Sequence, residues 1–335
     1  MSSILSDRVQ KVKPSATMAV SDKAKELKSQ GIQIVSMGSG EPDFDTPANI
    51  QKAAVKAIGA GETRYTPADG TPELKKAICE KFKRENGLDY SATEVMVSCG
   101  GKQVFYNLCQ AILNEGDEVI IPTPYWVSYP DMAILADATP VFIEAGLDQD
   151  FKITPDQLEA SITPKSKLFV LNSPSNPTGS VYSRSEIVAL GEVLERHPHV
   201  LTISDDIYEH IRWGEDDFVN IAMACPNLKE RVVILNGVSK AYAMTGWRIG
   251  YAAGPEAVIK AMKKIQGQST SNPSSISQAA ALEAITGDQS FISMMVEAFE
   301  RRHEFLVTSL NEIDGIECPR SGGAFYSFPK VQGLI

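Results

Sequence analysis

The sequence predicts an α/β fold, with a mainly parallel sheet sandwiched by helices and a second, smaller α/β domain. Short apolar runs alternate with longer amphipathic segments through the middle of the chain, which is typical of strands joined by helices. Several runs, among them LFVLN and VVILN, are continuously apolar, as expected of strands that helices cover on both faces. The length of 335 residues predicts roughly two domains of about 150 residues each.

Seven strands are predicted, each a short apolar or β-branched run. They span residues 94–98, 118–121, 139–143, 168–172, 200–204, 232–236 and 248–252. Helical segments between and after them cover residues 102–113, 183–196 and 255–264. Because strands and helices alternate, we expect a largely parallel sheet.

The two ends of the chain depart from this alternation. Residues 21–30 are predicted to be helical and lead into the Gly/Pro-rich loop VSMGSGEPDFDTP. From Gln278 the chain is mostly helical, and it finishes on AFYSF (324–328), which has the pattern of a strand. The predicted division is an N-terminal arm with part of the small domain (1–45), a large domain (46–280) and the rest of the small domain (281–335).

Composition excludes several classes of protein. The 32 Lys and Arg against 42 Asp and Glu give a net charge of −10, whereas a nucleic-acid binder needs a basic face. The five cysteines are scattered without a CxxC pair, so we expect reduced thiols, no structural metal and a cytoplasmic location. The N-terminus lacks the apolar run of a secretory signal, and no stretch approaches the roughly 18 apolar residues of a membrane span. We expect neither a nucleic-acid nor a membrane partner.

Two glycine-rich loops fail as nucleotide-binding motifs. GSG at 38–40 would need a glycine where Asp43 stands, and GGK at 100–102 lacks both the glycine at Met96 and the Ser or Thr at Gln103 of a Walker A loop. The second loop nevertheless joins a predicted strand to a predicted helix, whose free N–H groups and dipole favour a phosphate. A local anion site and an ordinary tight turn both fit this loop.

Polar residues follow three successive predicted strands. NSPSNPTG (172–179) ends one strand, Asp205 and Asp206 follow the next, and Lys240 follows the third. Ligands of open α/β sheets bind outside the carboxyl ends of strands, so these residues are candidates for one site. Turns and solvent-facing charges are the alternative for each motif alone. A lysine flanked by small and aromatic residues between buried strands favours a desolvated, nucleophilic amine.

Seven motifs in one collinear order resemble a class I pyridoxal-phosphate aminotransferase, most of all the bacterial aspartate aminotransferases of the beta subgroup. They are SGEPDFDTP (39–47), YTPADG (65–70), GGKQ (100–103), PYWVSYP (124–130), NSPSNPTG (172–179), SDDIYEH (204–210) and SKAYAMTGWRIGY (239–251). The resemblance runs from about residue 6 to residue 326. It implies the type I fold of pyridoxal-phosphate enzymes, with residues 46–280 as the cofactor domain.

The resemblance implies pyridoxal 5'-phosphate as the cofactor and assigns residues to it. Lys240 matches the Schiff-base lysine, which holds the cofactor as an imine and moves the substrate α-proton. Burial and the nearby Arg248 guanidinium are expected to disfavour its ammonium form. Asp205, rather than Asp206, matches the carboxylate paired with the pyridine nitrogen, because the family spacing is Asp-x-x-Tyr. The other matches are Asn176 and Tyr208 to the phenolic oxygen, Trp126 to the ring, and Gly101, Lys102, Gln103, Ser239 and Arg248 to the phosphate.

The resemblance also implies a homodimer with shared sites, because Tyr65 matches a tyrosine that reaches the phosphate of the neighbouring subunit. The implied catalytic set is Lys240, Tyr65, Asp205 and Tyr208. Many relatives bind the distal substrate carboxylate with an arginine in the segment matching residues 267–274, where this chain has none. We expect Lys102 to serve instead, which favours aspartate or glutamate. The implied substrate contacts are Gly40, Trp126, Asn176, Lys102 and, as a second cation, Lys13.

The implied reaction is a ping-pong transfer of an amino group from aspartate or glutamate to 2-oxoglutarate or oxaloacetate. A prephenate or broad-range aminotransferase, a β-lyase with the same cofactor and a catalytically weak binding protein are the alternatives. Family members continue several dozen residues beyond AFYSF, and that part carries the arginine that grips the substrate α-carboxylate. The resemblance therefore implies a small domain that is incomplete at Ile335 and a chain that holds cofactor better than it turns over substrate.

Overall fold

Seven strands form one sheet in the computed structural model, which describes residues 4–14, 16–214 and 216–335. The strands are β1 (Val95–Ser98), β2 (Glu118–Thr123), β3 (Thr139–Glu144), β4 (Ser166–Asn172), β5 (Leu201–Asp205), β6 (Val232–Gly237) and β7 (Gly250–Ala253). The α-helices of this described part are α1 (Asp7–Lys11), α2 (Ala16–Ser29), α3 (Ala48–Gly59), α4 (Pro72–Lys81), α5 (Gly101–Ile112), α6 (Ser128–Leu135), α7 (Pro155–Ser161), α8 (Arg184–Arg196), α9 (Ile221–Ala224), α10 (Glu256–Gly267), α11 (Ser275–Thr286) and α12 (Ser290–Asn311).

The strand order is β1-β7-β6-β5-β4-β2-β3. Strands β2 to β6 pair in parallel, as the alternation of strands and helices predicts. Strand β7 runs antiparallel to both neighbours, β1 and β6, which the sequence reasoning did not anticipate. The connection between β6 and β7, residues 238–249, contains a 3₁₀ turn but no α-helix to carry the chain back across the sheet, so the chain reverses direction instead.

All seven predicted strands are present, with ends shifted by no more than two residues, and α5, α8 and α10 match the three predicted central helices. The strand predicted at residues 324–328 is wrong. Ala324 has a left-handed φ of 58°, which interrupts the extended run, and the backbone pairs only through isolated bridges at Gly323 and Lys330. Phe325 and Tyr326 instead pack against a buried cluster that includes Tyr208 and the α12 residues Met295 and Phe299.

Helices cover both faces of the sheet, so alternate residues of a strand enter different cores. In β1, Val95 and Val97 pack with the face that carries α3, α4, α8 and α11. Met96 points to the opposite face, where it packs with α5, α6 and α10. Burial on both faces explains the continuously apolar strands of the sequence. Among the described residues, no helix combines the length and apolar composition that crossing a membrane requires.

The polar strand ends meet at one edge of the sheet. Asn172 at the end of β4 pairs with Asp205 at the end of β5, and Asp205 pairs with Leu235 of β6. Because β7 is antiparallel, its first residue, Gly250, lies at this same edge between Gly237 of β6 and the last residue of β1. The start of α5 and the loops that follow β4, β5 and β6 therefore converge.

Candidate active site

One pocket lies at this edge, and nine of the ten predicted cofactor residues line it. They are Gly101, Lys102, Trp126, Asn176, Asp205, Tyr208, Ser239, Lys240 and Arg248. The sequence reasoning did not assign the other lining residues, which are Tyr129, Asn172, Ile207, Leu235 and Thr245.

Lys240 places a primary amine in the pocket among aromatic rings. Its Nζ donates to the carbonyl oxygen of Gly40 at 2.5 Å and lies 5.9 Å from the ring centre of Tyr208 and 5.8 Å from that of Phe325. Burial, followed by the charge of Arg248, lowers the pKa of Lys240 to about 8. The direction agrees with the sequence-based expectation. An amine with this pKa is available as a nucleophile and a base near neutral pH.

Asp205 places a buried carboxylate at the pocket floor. Its Oδ2 accepts a 2.5 Å hydrogen bond from the Tyr129 hydroxyl, and its Oδ1 accepts from the Ile207 amide at 3.3 Å. Burial raises the pKa of Asp205 to about 6, against the lowering effect of the Tyr129 hydrogen bond. Asp206 is also buried but bonds to Ser204 and Asn220 instead, and it does not line the pocket. Of these two neighbouring acidic residues, Asp205 is therefore the one that faces the pocket.

The start of α5 and Arg248 form a cationic end of the pocket. Gly100, with φ 87°, turns the chain into the helix, whose first N–H groups have no intrahelical partner. Lys102 extends its Nζ to 5.2 Å from the centre of the Trp126 ring. Burial and then the charge of Arg248 lower the pKa of Lys102. Arg248 Nη1 is held by the Thr245 carbonyl oxygen at 2.9 Å.

Gln103 is the predicted cofactor residue that the structure does not bring into the pocket. Its Nε2 donates to Asn107 Oδ1 at 2.8 Å, and its amide donates to the Gly100 carbonyl oxygen at 3.0 Å. The side chain runs along α5 toward the residue one turn later, because residues i and i+4 lie on the same face of a helix.

Three further predicted residues lie outside the pocket lining. Tyr65 is 92% exposed, and Lys13 is exposed in the N-terminal segment. Gly40 contacts Lys240 through its carbonyl oxygen, and a Cβ at this position would lie 2.4 Å from the Tyr326 hydroxyl, so the close approach requires glycine.

The polar lining residues that the sequence reasoning missed are Tyr129, Asn172 and Thr245, and it also missed Tyr326, which contacts the lining residue Tyr208. Asn172 Nδ2 donates to the Asp205 carbonyl oxygen at 2.8 Å, and its Oδ1 accepts from the Asn176 amide at 2.8 Å, which fixes that loop to β5. The Tyr326 hydroxyl lies 2.6 Å from the Tyr208 hydroxyl. Tyr129 and Asn172 stand inside the motifs PYWVSYP and NSPSNPTG, so a signal was present in the sequence for both.

Comparison with known proteins agrees with this geometry. The family model described as aminotransferase class I and II matches residues 32–334. The chain belongs to this family. Aspartate/prephenate aminotransferases of Cereibacter sphaeroides and Nitrosomonas europaea are each 58% identical to it over 331 residues, or 99% of this chain and 83% of each relative.

Solved structures of aminotransferases share the whole described fold. The aspartate aminotransferase from Rhizobium meliloti is similar with a TM-score of 0.96 and 49% identity, covering 99% of this chain and 83% of that one. The Thermus thermophilus aspartate aminotransferase with maleate has a TM-score of 0.93 and 45% identity, covering 97% and 84%. The chain is thus an aminotransferase with the type I fold of pyridoxal-phosphate enzymes.

The family implies pyridoxal phosphate, and the residues of the pocket fit that group. Asp205 is a carboxylate suited to a protonated ring nitrogen, and Lys240 is an amine suited to an aldehyde. At the other end, Arg248 and the start of α5 suit a phosphate. A Cβ at Gly100 would lie 2.2 Å from Arg248 Nη2, so the glycine leaves the space that the guanidinium occupies beside the helix.

Proposed function

We propose that this aminotransferase binds pyridoxal 5'-phosphate and moves an amino group from aspartate or glutamate to 2-oxoglutarate or oxaloacetate by a ping-pong mechanism. The observation that carries the proposal is the convergence of Lys240, Asp205 and Arg248 on one pocket, with the pKa of Lys240 lowered to about 8. When bound, pyridoxal phosphate supplies an aldehyde that accepts the amino group and a ring that accepts electrons from the substrate Cα.

The chain's own residues divide this work between them. Lys240 holds the cofactor covalently and, once substrate displaces it, moves the proton at the substrate Cα. Asp205 stabilises the positive charge of the ring nitrogen, and the Tyr129 hydrogen bond holds its carboxylate in place. Gly40 is proposed as a substrate contact through its backbone. The remaining proposed contacts are Asn176 and Tyr208 to the phenolic oxygen, Trp126 to the ring face, and Ser239, Arg248 and the backbone amides of Gly101 and Lys102 to the phosphate.

We further propose a homodimer in which Tyr65 completes the phosphate site of the neighbouring subunit. Its 92% exposure supports this role, because the phenol is accessible from outside this chain. We propose that residues 1–45 and 281–335 form the smaller domain beside residues 46–280. The five free cysteines support a reducing, cytoplasmic location.

Visible absorption tests the proposed chemistry. The protein loaded with pyridoxal phosphate should be yellow, and adding L-aspartate should bleach it, because the amino group passes to the cofactor. Lys240→Ala should lose the yellow band and orders of magnitude of transaminase activity, while Lys260→Ala on the surface of α10 should behave as wild type. Normal turnover in Lys240→Ala would refute the mechanism, as would the absence of colour in the loaded wild type.

Lys102 tests the proposed choice of substrate. It lines the pocket, and the Thermus relative was crystallised with maleate, which is a dicarboxylate. Lys102→Ala should raise KM for aspartate roughly tenfold to a hundredfold, the worth of a hydrogen bond to a charged group, and should change the alanine reaction little. Lys13→Ala is the control for the other cation. Equal losses for aspartate and alanine would remove Lys102 from this role, and a larger loss in Lys13→Ala would transfer the role to Lys13.

Prephenate is a second candidate acceptor, because the two relatives at 58% identity are named aspartate/prephenate aminotransferases. Rates of amino transfer from aspartate to prephenate and to 2-oxoglutarate, measured with the same preparation, decide between the acceptors.

A further inference from the structure

A buried glutamine forms a hydrogen bond to the loop of residues 65–71, which we call the Tyr65 loop. Gln266, the penultimate residue of α10, is 0% exposed. Its Nε2 donates to the carbonyl oxygens of Ala68 at 2.5 Å and Val97 at 2.8 Å. Its Oε1 accepts from Asn107 Nδ2 at 2.9 Å. Gln266 thus ties the Tyr65 loop to β1 and to the middle of α5.

A second glutamine holds the same loop from α11. Gln278 is also 0% exposed; its Nε2 donates to Thr66 Oγ1 at 3.0 Å and to the Pro273 carbonyl oxygen at 2.9 Å. Its Oε1 accepts from the Thr71 amide at 2.7 Å. Both ends of residues 66–71 are therefore fixed, together with the neighbouring segment around Pro273.

The middle of the loop is held by two ion pairs and one backbone hydrogen bond of Asp69. Asp69 is 7% exposed and pairs with Lys75 at 2.6 Å and Lys263 at 2.9 Å, while its carbonyl oxygen accepts from the Val97 amide at 2.9 Å. The loop is thus rigidly supported, yet the Tyr65 side chain at its start is almost fully exposed. A large aromatic side chain on a fixed backbone loses little conformational freedom when it binds a second surface.

We propose that Gln266 and Gln278 are positioning residues, which fix Tyr65 in the place where a second copy of this chain uses it to hold cofactor phosphate. This inference rests on the proposed function. The glutamines touch neither cofactor nor substrate; they act through Tyr65 on the site of the partner. Their amides bond to the backbone and to Thr66 of the loop, so a side chain of similar size without hydrogen-bonding groups removes part of the support that holds the loop in place.

A double-mutant cycle tests this coupling, with pyridoxamine 5'-phosphate as the probe because it binds without a covalent bond to Lys240. Calorimetry gives Kd for the wild type, Tyr65→Phe, Gln266→Met and the double variant. Tyr65→Phe and Gln266→Met should each weaken binding about tenfold, and in the Tyr65→Phe background Gln266→Met should weaken it by less than about threefold.

Gln289→Met is the matched control. Gln289 also makes three side-chain hydrogen bonds, one from the Tyr242 hydroxyl and two to backbone carbonyl oxygens, but it lies away from the Tyr65 loop. Its replacement should lower the melting temperature and leave Kd unchanged. If Gln266→Met does not fold, Gln278→Met takes its place in the cycle, with the same expected non-additivity.

The outcomes separate this inference from the function on which it rests. Additive effects of Gln266→Met and Tyr65→Phe overturn the positioning role while leaving the enzyme intact. Unchanged binding in Tyr65→Phe also overturns it, because the glutamines would then have nothing to position. A wild type that fails to bind pyridoxamine phosphate overturns the proposed function itself.

Discussion

Tyr129 and Asp205 share a hydrogen bond that is shielded from water. Tyr129 is 2% exposed and Asp205 is 4% exposed, and the phenol packs against Phe105 and Trp126. Burial raises the pKa of Asp205 to about 6, and the hydrogen bond from the Tyr129 hydroxyl limits that increase because it stabilises the charged carboxylate. The phenol is therefore part of what keeps a carboxylate, rather than a carboxylic acid, at the pocket floor.

Tyr129→Phe should cost about 1–3 kcal/mol of unfolding free energy at pH 8, because it removes a buried hydrogen bond to a charged group. Below pH 6 the cost should shrink, since Asp205 takes up a proton in the folded state. Tyr90→Phe is the control, because the buried Tyr90 hydroxyl has no partner among the described residues, so its removal should cost nothing. Urea unfolding at pH 8 and pH 5 measures both. Equal costs for the two variants would contradict the role of the hydrogen bond.

At the level of elements, the backbone at the start of β7 packs directly against the backbone at the start of α5, and this close approach depends on glycines. A Cβ at Gly250 would lie 2.4 Å from the carbonyl carbon of Gly100 and from the amide nitrogen of Gly101. Gly100 itself has a left-handed φ and contacts the Arg248 guanidinium. The phosphate end of the pocket thus depends on two backbones that approach more closely than side chains allow.

Gly100→Ala should destabilise the fold and also displace Arg248, whereas Gly116→Ala should only destabilise. Both glycines have φ near 90°, but a Cβ at Gly116 meets nothing within 4 Å. A positive φ costs a residue with a Cβ about 1–3 kcal/mol at either position. Only Gly100→Ala should also weaken binding of pyridoxamine phosphate, by about tenfold, measured by calorimetry. Similar affinities in the two variants would show that Arg248 does not depend on this glycine.

At the level of the whole molecule, a buried ion pair joins α4 to the turn after β5. Lys81 is 1% exposed, and its Nζ pairs with Glu209 and donates to Asn86 Oδ1 at 2.9 Å. Burial is the largest single influence on Glu209 and would raise its pKa, but the charges of Lys81 and His210 and the hydrogen bonds from Lys81 and Asn86 together outweigh burial, so the pKa is lowered. Asn236 of β6 donates to the same carboxylate at 2.7 Å, so the pair also reaches the strand that leads to Lys240.

Lys81→Met should cost about 3–5 kcal/mol of unfolding free energy, because it leaves the buried Glu209 carboxylate without its cation. Lys76→Met is the control on the same helix. Lys76 is 77% exposed and pairs with Glu80 at 3.7 Å, so its loss should cost less than about 1 kcal/mol. The double variant Lys81→Met with Glu209→Gln should cost less than the sum of its single changes. Denaturant unfolding measures the unfolding free energy of each variant. A loss of less than about 1 kcal/mol in Lys81→Met would show that the ion pair contributes little to stability.

The sequence could predict those parts of the fold that depend on local patterns. Strands such as VVILN are continuously apolar because both faces are buried, and that pattern is visible in one dimension. The antiparallel direction of β7 follows from the connection 238–249, which has no α-helix, but the pairing of β7 with β1 joins residues far apart in the chain, so no local pattern records that pairing. The burial of Lys81 could not be predicted from the sequence either. Lysine is ordinarily exposed, and Glu209 comes close to Lys81 only in the folded chain.

The candidate site was predicted largely through motifs. The residues that were wrongly placed or missed depend on local backbone geometry or on three-dimensional contacts that the motifs do not record. Lys240 and Asp205 stand in motifs at strand ends, where the topology brings them together. Gln103 was assigned by adjacency in GGKQ, but helix geometry turns its side chain toward Asn107. Tyr326 was treated as part of a strand, and its contact with Tyr208 depends on the left-handed turn at Ala324.

The position of β7 also bears on the order in which the chain can assemble. During synthesis β1 leaves the ribosome first among the strands and β7 last, yet within the described sheet β7 is the strand through which β1 joins the others. Closing that long loop is entropically costly, so the β1–β7 contact belongs to the late, non-local class of folding events. Gly100, on β1's side, and Arg248, on β7's side, meet only through that contact. A nascent chain therefore acquires this anion-binding end only after β7, the last strand of the described sheet, has been made.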